Sequence, residues 1–282
     1  MRLSMPLSVH PLHAQIAGTG STMLCLHGHP GSGRSMDVFS GYFCDRFQTI
    51  APDLRGYGRS QTQQPFTITQ HLDDLVALLD RHQVQRTIVL GWSLGGIFAL
   101  ELALRYPERV SGLILVATAA RPWGDHPRIR LRDNLLTGVA GGLNFAKPGW
   151  QWNIDTFGRR SLFRYLVQQH RPDVYRFLAR DAVYAYMKTS RQADRALNQA
   201  IRQGYNRVPD MAQISVPALM LMAAHDRHIS PAASRETAKA LPNCEWECFA
   251  DTAHLLPWEI PEQLRARIDR WLVAHPEVIP MT

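Results

Sequence analysis

The amino-acid sequence predicts an α/β fold, with a mostly parallel central sheet, helices on both faces and a helical cap inserted into the chain. Three observations support this. Short apolar runs alternate with amphipathic stretches in residues 1–120, the same alternation returns in 211–282, and the segment between them is rich in arginine. Strand–helix–strand alternation favours a parallel sheet that is covered on both faces. We therefore expect one core domain formed by 1–120 and 211–282, and a cap (lid) formed by 121–210.

The first part of the core contains four apolar runs that predict buried strands, at residues 22–26, 49–51, 86–90 and 112–117. Continuous runs of leucine and β-branched residues, rather than alternating ones, are typical of strands covered on both faces. Between these runs, apolar residues three and four apart predict a helix that begins after Thr69. A second helix is predicted over residues 94–105, because the chain reaches Pro107 directly afterwards.

The second part of the core repeats this pattern more briefly. Residues 217–223 predict a strand, 231–241 a helix, 245–249 a last short strand and 261–272 a terminal helix. The inserted segment has a glycine-rich stretch at 137–142, followed by mostly helical, aromatic-rich sequence at 157–205. This segment is where we expect the cap.

The composition excludes several classes of protein. No stretch of the 282 residues approaches the ~18 consecutive apolar residues of a membrane-spanning helix. The first eight residues lack the apolar region of a secretory signal. The four cysteines show no C-x-x-C spacing and no interleaved histidine, which favours reduced thiols and argues against a metal site. We expect a soluble, cytoplasmic enzyme with no metal or organic cofactor.

Positive charge is concentrated in the cap. The net charge of the chain is +7, whereas residues 121–210 alone hold 16 Lys and Arg against 7 Asp and Glu. A basic face of this kind can steer an anionic partner or substrate, although solvated helix surfaces would show the same charges. Because no nucleic-acid recognition motif accompanies the basic residues, we do not expect nucleic acid as the partner.

The candidate nucleophile is Ser93, in the sequence Gly91-Trp92-Ser93-Leu94-Gly95. This sequence matches G-x-S-x-G, and it lies between a predicted strand and a predicted helix, the setting in which a sharp turn exposes a nucleophilic hydroxyl. The glycines are needed because side chains on the flanking residues would collide in such a turn. The beginning of the helix adds positive potential where an oxyanion would form.

A loop after the first core strand can supply the second part of an oxyanion hole. Its sequence, residues 27–33, begins His-Gly-His-Pro-Gly. We expect the backbone amide of His29 to act together with that of Leu94, because two donors directed at developing negative charge stabilise it strongly. The side chain of His27 is expected to brace the turn rather than to take part in chemistry.

Serine catalysis also needs a base and an acid that orients the base. His254 lies in a short loop after the last predicted strand, and Asp226 directly follows the strand at 217–223. Loops at the carboxyl ends of strands gather functional groups in open α/β sheets. We therefore predict Asp226 as the acid and His254 as the base. Two alternatives remain at this point: Asp226 as a turn or helix-capping residue, and Asp251 as the acid.

With these residues in place, the chain resembles the α/β-hydrolase superfamily over nearly its whole length. The resemblance rests on the His-Gly loop, the serine elbow, Asp226, the His254 loop and the sequence Asp-Leu-Arg-Gly-Tyr-Gly-Arg-Ser at 53–60. It implies a Ser-His-Asp triad, and structural roles for Asp53 and Arg55. The elbow is similar to that of the pimeloyl-(acyl-carrier protein) methyl ester esterase branch. That resemblance implies an acidic acyl carrier protein, or another anionic surface, as a partner of the arginine-rich cap.

The function we predict is hydrolysis of a carboxylic ester or related acyl bond in a small molecule, through an acyl-enzyme. The substrate-binding residues are expected to be Trp92, Trp123 and Leu255. The aromatic residues of the cap either line an apolar acyl pocket or form the cap's own core. The same triad would also serve a C–C bond, lactone or thioester hydrolase or an acyltransferase. A non-catalytic ligand-binding or carrier-docking protein is the alternative outside enzymes.

Overall fold

The computed structural model describes residues 9–125 and 129–280. The first eight residues, which bear on the expected absence of a signal sequence, lie outside these ranges. Seven strands are present among the described residues: β1 Ala14–Ala17, β2 Thr22–Leu26, β3 Gln48–Pro52, β4 Thr87–Trp92, β5 Val110–Val116, β6 Ala218–Ala223 and β7 Cys244–Phe249.

The strands form one sheet in the order β1-β3-β2-β4-β5-β6-β7. Strand β1 pairs antiparallel with β3, and every other pair is parallel. All residues of β2, β4, β5 and β6 are buried, as their continuous apolar sequences predict. The mostly parallel α/β fold predicted from the sequence is confirmed.

Helices pack on both faces of the sheet. Those of the core are α1 Asp37–Phe43, α2 Gln70–Arg81, α3 Leu94–Arg105, α9 Pro231–Ala240, α10 Leu256–Glu259 and α11 Pro261–Ala274. Neighbouring residues of β2 point to opposite faces of the sheet. Leu24 belongs to the apolar cluster beneath α2 and α3, and Met23 belongs to the cluster beneath α1 and α11. The sheet therefore has a hydrophobic core on each face, because successive strand side chains point in opposite directions.

The segment between β5 and β6 is helical. Its helices are α4 Leu131–Ala146, α5 Gln151–Thr156, α6 Pro172–Phe177, α7 Val183–Met187 and α8 Arg191–Arg202, with the π-helical turn Leu178–Ala182 joining α6 to α7. The segment is attached to the core at several points. The Ser190 amide donates to the Gly56 carbonyl at 2.8 Å, the Leu255 amide donates to the Leu166 carbonyl at 3.0 Å, and Arg34 pairs with Asp181 at 2.7 Å.

Two parts of the fold differ from the sequence-based expectation. The edge strand β1 and the short helix α1 were not predicted, because β1 has four mostly exposed residues and α1 only seven. The glycine-rich stretch, for which no secondary structure was predicted, lies inside α4. A Cβ atom at Gly138, Gly141 or Gly142 would meet nothing within 4 Å, so neither packing nor a turn accounts for these glycines.

No helix within 9–125 and 129–280 is long and apolar enough to cross a membrane.

Candidate active site

Ser93 occupies a strained turn between β4 and α3. Its backbone has φ 53° and ψ −117°, a conformation that a non-glycine residue rarely adopts. The Ser93 amide donates to the Val116 carbonyl at 2.9 Å, which fixes the turn against the neighbouring strand. Close packing requires the glycines: a Cβ on Gly95 would lie 2.0 Å from the Leu26 carbonyl oxygen, and one on Gly91 would lie 2.4 Å from that of Gly95.

His254 lies in the loop that follows β7, directly over this turn. Its Nε2 atom is 3.0 Å from Ser93 Oγ, within hydrogen-bonding distance. Only 3% of His254 and 7% of Ser93 is exposed, so the pair is shielded from bulk water. Trp92, one residue before the serine, donates from its indole nitrogen to the His254 carbonyl at 3.3 Å. This bond connects the loop of the imidazole to the strand that leads to the hydroxyl.

Asp226 lies on the other side of the imidazole, in the loop after β6. Its Oδ2 accepts from His254 Nδ1 at 2.8 Å, while its Oδ1 accepts from the amides of His228 and Ile229 at 2.8 and 3.0 Å. With Nδ1 protonated towards the carboxylate, Nε2 is left as the acceptor for the serine proton. Asp226 thus contacts both the imidazole of His254 and the backbone of its own turn, the two positions that the sequence left open. Asp251, the alternative acid, is exposed.

The backbone amide of Leu94, at the beginning of α3, has no hydrogen-bond acceptor among the residues that the structure describes. It lines a small cavity beside Ser93, as does His29. The His29 ring spans core and cap: Nδ1 is 2.9 Å from the Tyr57 hydroxyl, and Nε2 is 3.4 Å from the carboxylate of Asp194 in α8. Burial lowers the pKa of His29, against the opposing effect of Asp194.

His27 has the bracing position expected from the sequence. Its Nδ1–H donates to the Gly28 carbonyl at 2.7 Å, and its Nε2 accepts from the Leu54 amide at 3.1 Å. Burial lowers the pKa of this imidazole to about 4, so the ring is neutral at neutral pH. The ring therefore holds two loops together as an uncharged donor and acceptor.

The cavity beside Ser93 has a volume of about 90 Å³ and a mostly aliphatic lining: Ile68, Leu94, Ile97, Pro122, Leu197, Ala200, Ile201 and Ile229, together with His29, Ser93, Tyr205 and His228. Trp92, Trp123 and Leu255 were expected to bind substrate, but none of them lines it. Trp92 and Leu255 are buried near His254, whereas Trp123 is 46% exposed. Part of the lining of this cavity comes from α8, where Leu197, Ala200 and Ile201 recur at helical spacing. That periodicity was the available signal.

A second, larger concavity is lined by several arginines of the inserted segment together with Arg227. This arginine cleft has a volume of about 960 Å³, and six guanidinium groups line it: Arg130, Arg132, Arg159, Arg160, Arg164 and Arg227. Arg159, Arg164 and Arg227 pair with Asp155, Asp133 and Asp125 at 2.9–3.0 Å. Within the described ranges, the guanidinium groups of the other three arginines have no carboxylate oxygen within 4.0 Å. The cleft therefore carries an excess of positive charge.

The described residues include no group of three or more His, Cys, Asp or Glu side chains that could hold a metal ion.

Comparison with known proteins places these features in context. A family model described as the alpha/beta hydrolase fold matches residues 21–261. An uncharacterized hydrolase of Bacillus subtilis (strain 168), YugF, is 25% identical over 271 residues, covering 93% of each chain. A pimeloyl-(acyl-carrier protein) methyl ester esterase of Vibrio campbellii is 33% identical over 129 residues, 45% of this chain and 48% of the esterase. The structure of a thermophilic esterase from Thermogutta terrifontis superposes with a TM-score of 0.68 at 26% identity, covering 95% and 94% of the two chains.

Proposed function

The chain belongs to the α/β hydrolase family and is a hydrolase, and we propose that it cleaves a carboxylic ester or closely related acyl bond with Ser93 as nucleophile. The observation that carries this proposal is the unbroken hydrogen-bonded chain from Ser93 Oγ through His254 to Asp226, with contacts of 3.0 and 2.8 Å. A serine hydroxyl becomes a useful nucleophile only when an oriented base removes its proton, and we propose His254, held by Asp226, as that base.

In the proposed reaction, Ser93 Oγ attacks the substrate carbonyl while His254 Nε2 takes the hydroxyl proton. Asp226 keeps Nδ1 protonated and stabilises the imidazolium that forms. The amides of His29 and Leu94 receive the oxyanion. His254 then donates its proton to the leaving group, and an acyl-enzyme remains on Ser93. Water that gives its proton to His254 attacks this ester, and the acid is released.

A serine substitution tests the proposal directly. We expect Ser93→Ala to lower kcat on short p-nitrophenyl esters by at least about 10⁴-fold and to abolish labelling by a fluorophosphonate. The exposed Ser215 provides the matched control, since Ser215→Ala leaves the elbow intact. Labelling or turnover that survives in Ser93→Ala would exclude Ser93 as the nucleophile. A panel of esters, thioesters and lactones then separates the reactions that share this triad, and labelling without turnover of any would indicate a binding protein.

Residues 121–210 are proposed to act as a cap, with the arginine cleft as the docking site of an anionic partner. The six guanidinium groups of the cleft carry this second proposal. An acidic acyl carrier protein fits such a surface, and the partly similar Vibrio esterase acts on a carrier-bound ester by name. We expect binding to acyl carrier protein that weakens steeply with added salt and with Arg132→Gln or Arg160→Gln. Absent or salt-independent binding would contradict it.

A further inference from the structure

We propose that Tyr205 sets the longest acyl group that this enzyme accepts, by forming the wall between the cavity beside Ser93 and a second cavity behind it. This inference rests on the proposed serine hydrolase function. It adds a specificity-determining residue outside the triad and the oxyanion hole.

The two cavities are neighbours that share part of their lining. The cavity beside Ser93 measures about 90 Å³ and the second about 170 Å³. Ile68, Ile97, Ala200 and Tyr205 line both, so these four side chains form the partition between them. Tyr205 is the largest of the four, and it is the one whose truncation would open the widest passage.

Tyr205 is held rigidly in this position. Its hydroxyl donates to Glu101 Oε1 at 2.9 Å, and its amide donates to the Ala200 carbonyl at 3.2 Å. Glu101 is buried in α3 and is itself fixed by Arg207, whose Nε lies 2.7 Å from the same oxygen. A side chain anchored at both ends does not swing aside for a longer substrate.

The position of the cavity indicates which part of the substrate occupies it. His29 and Leu94, whose amides are the proposed oxyanion donors, line the cavity, whereas His254 does not. The leaving group must approach His254, because that imidazole protonates it. The group that remains on Ser93 therefore points away from His254, into the aliphatic cavity. This group is the acyl chain.

The size of the first cavity limits that chain. At about 90 Å³ it is about half as large as the second cavity of about 170 Å³, so the acyl group that fits in front of Tyr205 is shorter than one that could use both spaces. Behind the partition, Leu72 and Phe98 add apolar surface to the second cavity, whose lining also includes the charged residues Glu101, Arg105 and Arg207. Removal of the partition would join the two spaces and admit a longer chain.

The test compares Tyr205→Ala with Tyr205→Phe on acetyl, butyryl, hexanoyl and octanoyl p-nitrophenyl esters. Each methylene that becomes buried adds about fourfold to kcat/KM. We expect Tyr205→Ala to raise the octanoyl-to-acetyl ratio of kcat/KM at least about tenfold over the wild type. Tyr205→Phe keeps the ring that forms the wall and loses only the hydrogen bond to Glu101, so its ratio rises by less than that of Tyr205→Ala. Tyr205→Leu replaces the alanine variant if melting temperatures show that the alanine variant is unfolded.

Three results would overturn the inference. The first is an unchanged ratio in a folded alanine or leucine variant. The second is a shift in Tyr205→Phe as large as that in Tyr205→Ala. The third is a gain in kcat/KM for longer chains that is seen only in a series of alkyl acetates, in which the alcohol varies and the acyl group does not. Failure of the proposed function is distinguishable, because wild-type enzyme would then neither hydrolyse acetyl esters nor react with a fluorophosphonate.

Discussion

The buried carboxylate of Glu259 accepts a hydrogen bond of 2.7 Å from the amide of Ala253, the residue that precedes His254. The same carboxylate accepts from the amides of Gln168 and Gln169, in the segment between β5 and β6. Burial raises the pKa of Glu259, and the three amides counteract this effect. One side chain outside the triad therefore positions the His254 loop and attaches the inserted segment to it.

We predict that Glu259→Gln lowers kcat by about ten- to a hundredfold, because a small displacement of the imidazole that we propose as the base is costly. An amide has one acceptor oxygen and presents an NH₂ group to backbone donors, so unfolding should also become easier by about 1–3 kcal/mol. Ester hydrolysis and urea unfolding measure the two effects. The exposed Glu262→Gln is the control, and equal behaviour of both variants would contradict the positioning role.

Two bidentate ion pairs provide a matched test of burial. Arg55 and Asp74 are 2.5 and 2.6 Å apart and almost fully buried, whereas Arg121 and Glu236 make the same pattern at the surface. We predict that Arg55→Met destabilises the fold by about 3–5 kcal/mol, since it leaves a buried carboxylate unpaired. Arg121→Met should change stability by less than about 1 kcal/mol. Urea unfolding measures the free energy of unfolding of both variants. Similar losses would contradict the predicted difference between the buried and the exposed ion pair.

A second matched pair concerns glycine. We predict that Gly95→Ala destabilises the protein by more than about 1 kcal/mol and lowers kcat/KM, because the new methyl group would press against the Leu26 backbone and displace the Ser93 turn. Gly138→Ala, inside α4, meets no neighbour and should stabilise the protein by about 0.5–1 kcal/mol. Thermal unfolding and ester hydrolysis measure both. Full activity of Gly95→Ala would contradict the role assigned to that close contact.

The pH dependence of stability tests the buried His71. Burial lowers its pKa to about 3, with Arg55 and His27 acting in the same direction, and its Nδ1 has no hydrogen-bond partner within residues 9–125 and 129–280. The unfolded chain binds this proton near pH 6.5 and the folded chain does not. Above pH 6.5 His71 is therefore neutral in both states and does not lower the free energy of unfolding. The free energy of unfolding falls as the pH decreases from 6.5 towards 3. We predict that His71→Leu flattens this decline by about 1.4 kcal/mol per pH unit. Urea unfolding at several pH values measures it, and parallel slopes would contradict it.

Local sequence patterns predicted most of the fold and much of the candidate site. Ser93 was identifiable because its turn requires glycines next to a buried strand, a constraint contained within five residues. Leu197 and Ile201 recur at helical spacing, which indicates an apolar face of α8 but not the part of the core that this face covers. Trp123 was expected from its size, and local sequence does not show that its side chain is exposed. Likewise, the charge count located the basic segment 121–210. The arginine cleft is also lined by Arg227, which lies outside that segment in the sequence.

The His29 ring, which contacts Tyr57 in the core and Asp194 in α8, bears on any attempt to graft a new lid onto this scaffold. A chimaera that exchanges residues 131–202 removes Asp194 together with three residues that line the cavity beside Ser93. Such a swap alters turnover as well as selectivity, because the loop proposed to stabilise the oxyanion loses a lateral support. A replacement segment therefore has to bring its own carboxylate to the position that Asp194 occupies beside this imidazole.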